Sequence, residues 1–558
     1  MFIKFIKRIN FSIYLFIVYV VTAILVNPAG NFPLNDDWAF ASLVKNYCEN
    51  GIVTIDSWQA MTLLGQVFWG ALFCKIFGFS FLVLRLSTLT AGFIGVLVFY
   101  KLILELSRNG KIAAFASLLL FLNPLYFSLS FTFMTDVHFV TSMLLSVYFF
   151  IMFLRENKAW YIILAAVFSV VSTMIRQPGI LIPLVFAVTL SIGCKNIPHI
   201  MKVSVPFILS LLALIFHSIW MKYHLRTNGN VGQFNDMMNF VLSMDFYQLI
   251  TRTVQSLLYC GLILFPLLIL LSGKIRSKFK HIKLTNLFVL ILIVAVLLIG
   301  GTHFPRGNII YNIGLGPKIL KDAYFNNNVS PQVNNAIWVV LLKLISIPGS
   351  LILLLIIDWK ISGIKKVFQE SELRYIRIAR LSIAVIITGY LSFLIVYFTY
   401  FDRYTIPLFT LLMLTLIPYK TNISKASGSI ALISLLLFGV FSICASHDYL
   451  SWNRARWQAV EYLTDEKGIK PSEIDGGFEF NGWYKTGTLQ KIRNKNGKSW
   501  WFVDNDKFVI SFGDLAGYNK TRSFYYPQVL SAKHDSIYIL QKTGPSAEIQ
   551  SDINYNKN

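Results

Sequence analysis

Residues 11–38 read FSIYLFIVYVVTAILVNPAGNFPLNDDW: an apolar run from Phe11 to Val26, a short polar turn, and two adjacent acids, Asp36 and Asp37. The run is long enough for a short membrane span, which takes roughly 17 or more residues. Lys4, Lys7 and Arg8 precede it, as they would in a signal peptide. The stretch Asn27–Pro33 lacks a small-x-small cleavage site, so a retained first helix is expected.

The same pattern repeats along the chain. Of its 558 residues 55% are hydrophobic and only 14% charged, against roughly 25% charged in soluble proteins. Further apolar runs near 80–100, 112–130, 138–154, 160–175, 179–193, 203–221, 253–272, 284–300, 336–357, 378–400, 403–418 and 428–446 predict about thirteen spans in all. The fold expected is an all-α polytopic membrane protein. Lys and Arg outnumber Asp and Glu 50 to 27, a net charge of +23; in this setting the excess marks cytoplasmic loops rather than nucleic-acid binding. With the N-terminus inside, Lys101/Arg108/Lys111, Arg155/Lys158, Lys274–Lys283 and Lys360–Arg377 all fall on the cytoplasmic side, and most inter-span acids fall opposite. The five cysteines are scattered without a CxxC pair, which speaks against a disulfide framework or a thiolate zinc site.

An odd number of spans carries the tail outside. Two domains are therefore expected: residues 1–446 in the membrane, and 447–558 as a small extracytoplasmic α/β domain. In the tail, Pro471–Gly477 punctuates a helix-to-strand change, and Phe508–Phe512 and Ser536–Leu540 read as strands. Two outer loops are long. Loop 27–79 carries Trp38, Trp58, Phe68 and Trp69 and reads as interfacial helices, while 301–335 is rich in Gly, Asn and Pro.

Chemistry-bearing residues collect on the outer side. Asp36 and Asp37 are either a helix N-terminal cap or, beside a low-dielectric wall, a general base or metal ligand. Thr135-Asp136-Val137-His138 opens the fourth span on the same side, with the same two readings. Arg176 breaks the rule that outer turns lack bases: it snorkels to headgroups or clamps a phosphate. Asp402-Arg403-Tyr404 sits in a tight turn between two spans, and His303, Arg306, Lys318 and Lys321 are weaker phosphate candidates. There is no GxxxxGK[ST], HExxH or GxSxG element.

An acid pair after the first span, an acid opening the fourth, and a late Arg403-Tyr404…Pro407 together resemble the GT-C superfamily of membrane glycosyltransferases, most closely the branch of protein O-mannosyltransferases and lipid A aminoarabinose transferases. The resemblance spans approximately residues 10–420. It implies a GT-C fold, an active site outside the cytoplasmic membrane, and inverting transfer of a sugar from a polyprenyl-phosphate carrier to a lipid, glycan or protein acceptor. It makes Asp36 or Asp37 catalytic, with Asp136 supporting the site. Arg176, Arg306, Arg403 and His303 are expected at the donor phosphate, and Trp38, Trp58, His138 and Tyr404 at substrate. A divalent metal (Mg, Mn or Zn) held by Asp36 and Asp136 is a further expectation, and nucleic acid is not a partner. The rival readings are a multi-span lipid or polysaccharide transporter, which would carry polar residues along a mid-membrane path, and an O-antigen polymerase or ligase, which would rely on the late outer loop.

Overall fold

The computed structural model describes residues 11–53, 61–192, 196–224, 238–272, 304–305, 309–310, 335–362, 373–397, 399–419, 424–485, 505–515, 517–530 and 533–543. The chain divides into two compact units, one ending at Leu450 and the other beginning at Ser451.

The first unit is helical. Its elements are α1 (Phe11–Val26), α2 (Asp37–Asn50), α3 (Leu64–Phe77), α4 (Phe81–Ser107), α5 (Gly110–Leu122), α6 (Pro124–Ser130), α7 (Thr135–Glu156), α8 (Ala159–Ile175), α9 (Leu181–Ser191), α10 (Ile197–His224), α11 (Phe246–Ser272), α12 (Asn335–Ser362), α13 (Arg374–Val396), α14 (Ile406–Leu416) and α15 (Lys425–Glu461). Their ends follow local chemistry. Ser80 caps α4 by accepting the Val83 amide at 3.1 Å, and Arg108 closes it in the left-handed region. Asn109 at once caps α5 through the Lys111 and Ile112 amides. Asn123 then ends α5 and caps α6 ahead of Pro124, so the pair bends by 63°.

Packing is aromatic and small-residue by turns. Phe150 stacks on Phe186 at 4.4 Å and Tyr19 on Phe121 at 4.4 Å. Where α11 crosses α12, a Cβ built on Gly349 would lie 2.2 Å from the Gly261 carbonyl oxygen; the backbones meet because neither residue has a side chain. Buried hydroxyls are satisfied across helices, Tyr126 on Gly92 O and Thr141 on Ala91 O, both at 2.9 Å. At the end of the bundle where α4 and α7 finish, buried Glu105 accepts from Arg108 (2.7 Å), Arg155 (3.0 Å) and the Tyr375 hydroxyl (2.5 Å). Arg380 bonds Leu106 O and Ile417 O there.

Among the described residues seven helices are long and apolar enough to cross a membrane, α4, α7, α10, α11, α12, α13 and α15, or eight if the bent α5–α6 pair counts as one span. The expected thirteen is not confirmed. The runs at 11–26, 160–175, 179–193 and 403–418 form helices of 17 residues or fewer, shorter than the roughly 20 that cover a hydrocarbon core, and the run at 284–300 lies outside the described residues. Loop 27–79 does form helices, and α3 exposes Phe68, Leu72, Ile76 and Phe77.

In the second unit four strands, β1 (Ile474–Asp475), β2 (Phe508–Ser511), β3 (Tyr518–Gln528) and β4 (Lys533–Lys542), form a sheet in the order β1-β2-β4-β3. β1 and β2 are parallel and the other pairs antiparallel, with a bulge between Lys520 and Arg522. Val509, Leu515 and Leu540 make its core. A helix, α16 (Phe478–Lys485), follows β1 after Gly477, whose φ of 87° suits glycine. Arg456 locks that corner, pairing with Glu479 at 2.8 Å and bonding Gly476 O.

Candidate functional site

Loop 27–36 reaches the end of the bundle opposite Glu105 and is moored from below. Buried Arg85, one turn into α4, donates to three of its carbonyls, Pro28 O, Gly30 O at 3.2 Å and Phe32 O at 3.0 Å. Asn31 accepts the Phe81 amide at 2.9 Å. Asn35 then turns through the left-handed region, φ 55°, which asparagine tolerates better than most residues.

The two adjacent acids do different things. Asp37 is buried, and its carboxylate accepts the Leu34 amide at 2.5 Å and, across the bundle, the Phe133 amide at 3.1 Å. Gln66 holds the same segment by donating to Phe133 O at 2.6 Å. Asp36 occupies the N-cap position of α2 but its side chain makes no capping bond. It is about a quarter exposed, and Oδ2 lies 3.3 Å from Arg403 Nη2.

Asp136, in the first turn of α7, pairs with Arg176 Nη2 at 2.7 Å, both side chains buried. Arg176 also donates to the Thr135 hydroxyl from Nε (2.8 Å) and Nη2 (2.5 Å). Removing one partner of such a buried pair costs about 3–5 kcal/mol, whereas the Asp36–Arg403 contact is longer and its carboxylate a quarter exposed. Asp136–Arg176 is thus a fixed element and Asp36–Arg403 the yielding one. Tyr404 sits between the two arginines, its ring centre 5.4 Å from the Arg176 guanidinium carbon and 5.5 Å from that of Arg403.

Asp402 and Arg403, neighbours in sequence, are not partners through their side chains. Asp402 accepts the amides of Ile309 (3.1 Å), Ile310 (2.8 Å) and Arg403 itself (2.8 Å), tying the late loop to the turn. Arg403 is buried, and its Nε and Nη1 meet no hydrogen-bond partner. Burial opposes its charge, but Tyr404, Asp136 and Asp36 outweigh that and raise its pKa above the ordinary arginine value. The cation persists at any physiological pH.

Of the other expected residues, His138 is buried, with Nδ1 3.2 Å from Met134 O and Nε2 without a partner. Trp38 is fully enclosed. Trp58, His303, Arg306, Lys318 and Lys321 lie outside the described residues. Among the described residues no three His, Cys, Asp or Glu side chains converge as metal donors, and Asp36 and Asp136 each face an arginine. Arg85, Gln66 and the role of Asp402 escape a motif reading. A signal existed for Arg85, a lone charge inside an apolar run.

Fold and site together define a multi-span membrane protein with two acids, two buried arginines and a tyrosine gathered at one end of a helical bundle. In this it resembles the GT-C superfamily of membrane glycosyltransferases, and residues 66–222, which include Gln66, Arg85, Asp136, His138 and Arg176, match the sequence profile of the dolichyl-phosphate-mannose-protein mannosyltransferase family. No curated protein matches the chain closely enough to count as a relative. Among solved structures, ArnT from Cupriavidus metallidurans bound to undecaprenyl phosphate is 11% identical over 81% of this chain and 72% of its own, with a TM-score of 0.42. The archaeal oligosaccharyltransferase AglB from Archaeoglobus fulgidus, in complex with an inhibitory peptide and a dolichol-phosphate, is 14% identical over 97% of this chain and 75% of its own, with a TM-score of 0.40.

Proposed function

We propose that this protein is an inverting glycosyltransferase that moves a sugar from a polyprenyl-phosphate carrier to an acceptor on the extracytoplasmic face of the inner membrane. The observation that carries the reading is the Asp36–Arg403 arrangement: a part-exposed carboxylate beside a buried, permanently charged guanidinium with unused donors. The acceptor hydroxyl oxygen attacks the anomeric carbon and its proton passes to Asp36. The bond from that carbon to the phosphate oxygen breaks, and the negative charge that develops on the departing phosphate meets Arg403, with Arg176 behind Tyr404. Asp37 and Asp136 hold the frame. Clustering at one end of the bundle, rather than along a mid-membrane path, favours an enzyme over a transporter. The residues beyond 447 are an extracytoplasmic accessory domain in this reading.

A lipid-linked donor suits such a site. Nucleotide sugars are made in the cytoplasm and cannot reach the other face unaided, whereas a prenyl chain stays in hydrocarbon, at about 0.8 kcal/mol per buried CH₂, and delivers its phosphate to the interface. Purified protein in lipid nanodiscs is expected to consume polyprenyl-phosphate-linked sugars and to ignore the corresponding nucleotide sugars. Efficient transfer from a nucleotide sugar with no lipid carrier present would defeat the proposal.

A further inference from the structure

The guanidinium of Arg403 is held only lightly by its own contacts. Nη2 reaches part-exposed Asp36 at 3.3 Å, and buried Nε and Nη1 have no hydrogen-bond partners. Its place is set instead by the backbone of the turn that carries it. The Arg403 amide donates to the Asp402 carboxylate at 2.8 Å, Thr405 Oγ1 donates to the Asp402 carbonyl at 2.7 Å, and the Tyr390 hydroxyl donates to the Tyr404 carbonyl at 3.1 Å.

The buried Asp402 carboxylate has a second commitment. It also accepts the amides of Ile309 at 3.1 Å and Ile310 at 2.8 Å, which belong to the late loop far earlier in the chain. Both pieces of chain stand on one face of α11. Arg252 Nη1 donates to Tyr397 O at 3.2 Å, the Ser256 and Tyr400 hydroxyls are 3.2 Å apart, and the Tyr259 ring packs on that of Phe304 at 4.9 Å. The spacing 252, 256, 259 puts the three on successive turns of a single helical stripe. The late loop and the arginine turn are thus seated side by side, and one carboxylate joins them.

We propose that Asp402 is a positioning residue of the donor site that couples the seat of the late loop to Arg403, so that phosphate on the guanidinium and the anchor at Ile309 and Ile310 stabilise one another. The inference rests on the reading of Arg403 as the donor-phosphate site. Two states are involved. In the seated state Asp402 holds all three amides and the turn presents Arg403. When the anchor opens, a buried carboxylate loses two charge-assisted bonds, a deficit that folded interiors do not tolerate, and the turn it shares with Arg403 shifts toward other donors. The guanidinium moves with it, because its own contacts are too few to keep it in place. Phosphate binds the seated state better, and by linkage it holds the anchor closed by the same factor. Asp402 acts through Arg403 rather than on the donor itself.

The test uses the full chain in lipid nanodiscs and two probes, a sugar-free polyprenyl monophosphate and the polyprenol of equal length. Hydrogen exchange at the Ile309 and Ile310 amides is read by mass spectrometry. Saturating monophosphate is expected to slow it on the order of tenfold, and polyprenol to leave it unchanged. Asp402→Asn, which turns an amide N–H toward the backbone donors, is expected to quicken exchange there and to weaken monophosphate binding on the order of tenfold, without altering polyprenol binding. Ile310→Pro removes one of the same bonds from its other end, so it should weaken monophosphate binding too, and the double variant should bind no worse than Asp402→Asn alone. The exchange measurement on the unaltered chain decides between outcomes even where a variant fails to fold. If the monophosphate binds through Arg403, as its loss in Arg403→Gln would show, while exchange at the anchor is the same with and without it, the coupling is overturned and the donor reading survives. Ligand-slowed exchange that persists in a folded Asp402→Asn variant would take the role away from Asp402. If phosphate adds nothing to binding and Arg403→Gln changes nothing, both readings fall.

Discussion

Asp36 and Asp37 stand side by side in the chain, yet their surroundings assign them opposite tasks. Asp36→Asn removes the proton acceptor and leaves every backbone contact in place, so turnover is expected to fall about 10²–10⁴-fold with an unchanged unfolding temperature. Asp37→Asn sets an amide N–H against the Leu34 or Phe133 N–H, where the carboxylate now accepts both, and is expected to cost about 1–3 kcal/mol of stability. Thermal unfolding and turnover of the two purified variants separate these outcomes; equal loss of stability in both would contradict the division. The sequence led to the expectation that acids, arginines and a tyrosine gather on one side of the membrane. It did not show which acid is free, because that depends on Phe133, a residue with no titratable group almost a hundred positions away. Nor did it show that Arg403 looks past its neighbour Asp402 to Asp36, since pairing along a tight turn is the simpler expectation.

At the level of elements, what was legible is what periodicity and punctuation encode. Among the described residues the long apolar runs became helices, and the hydrophobic strands of the tail were expected where they stand. β3 was missed because Tyr518–Gln528 opens on the polar run Asn519–Ser523, carries Pro527 and mostly faces solvent, and the break at Asn123-Pro124 was overrun by a hydropathy average. The mooring of loop 27–36 depends on one side chain. Arg85→Ala leaves three loop carbonyls without their donor, and hydrogen exchange across residues 29–36 is expected to quicken, with turnover falling in step. Unchanged exchange there would mean the loop holds itself. The α11–α12 crossing is a second such point. Gly349→Ala drives a methyl into the Gly261 carbonyl and is expected to destabilise by about 1–3 kcal/mol. Gly389→Ala, whose Cβ would meet only Leu181 at 3.7 Å, is expected to leave thermal unfolding unchanged or raise it.

For the whole molecule, the two ends of the bundle differ in chemistry, and that difference predicts its orientation. One end holds Asp36, Asp136, Arg176 and Arg403, each engaged in the site. The other is where α4 and α7 end and α5, α8 and α13 begin, and it carries Arg108, Lys111, Arg155, Lys158, Arg374 and Arg377. Glu105 neutralises only part of that charge, through Arg108 and Arg155. Surplus Lys and Arg near span ends are retained on the cytoplasmic side during insertion, so the site end is expected to face away from it. The odd number of spans expected from the sequence would carry the tail to the same side as Asp36. In a chain whose five cysteines are replaced by serine, Glu49→Cys beside the site loop and Asn519→Cys in the tail should react with a membrane-impermeant maleimide applied to intact cells. Lys111→Cys should react only after the membrane is opened. Labelling of Lys111→Cys in intact cells, with protection of the other two, would turn the molecule over. The site would then face the nucleotide sugars of the cytoplasm, and the case for a lipid-carried donor would lose its footing.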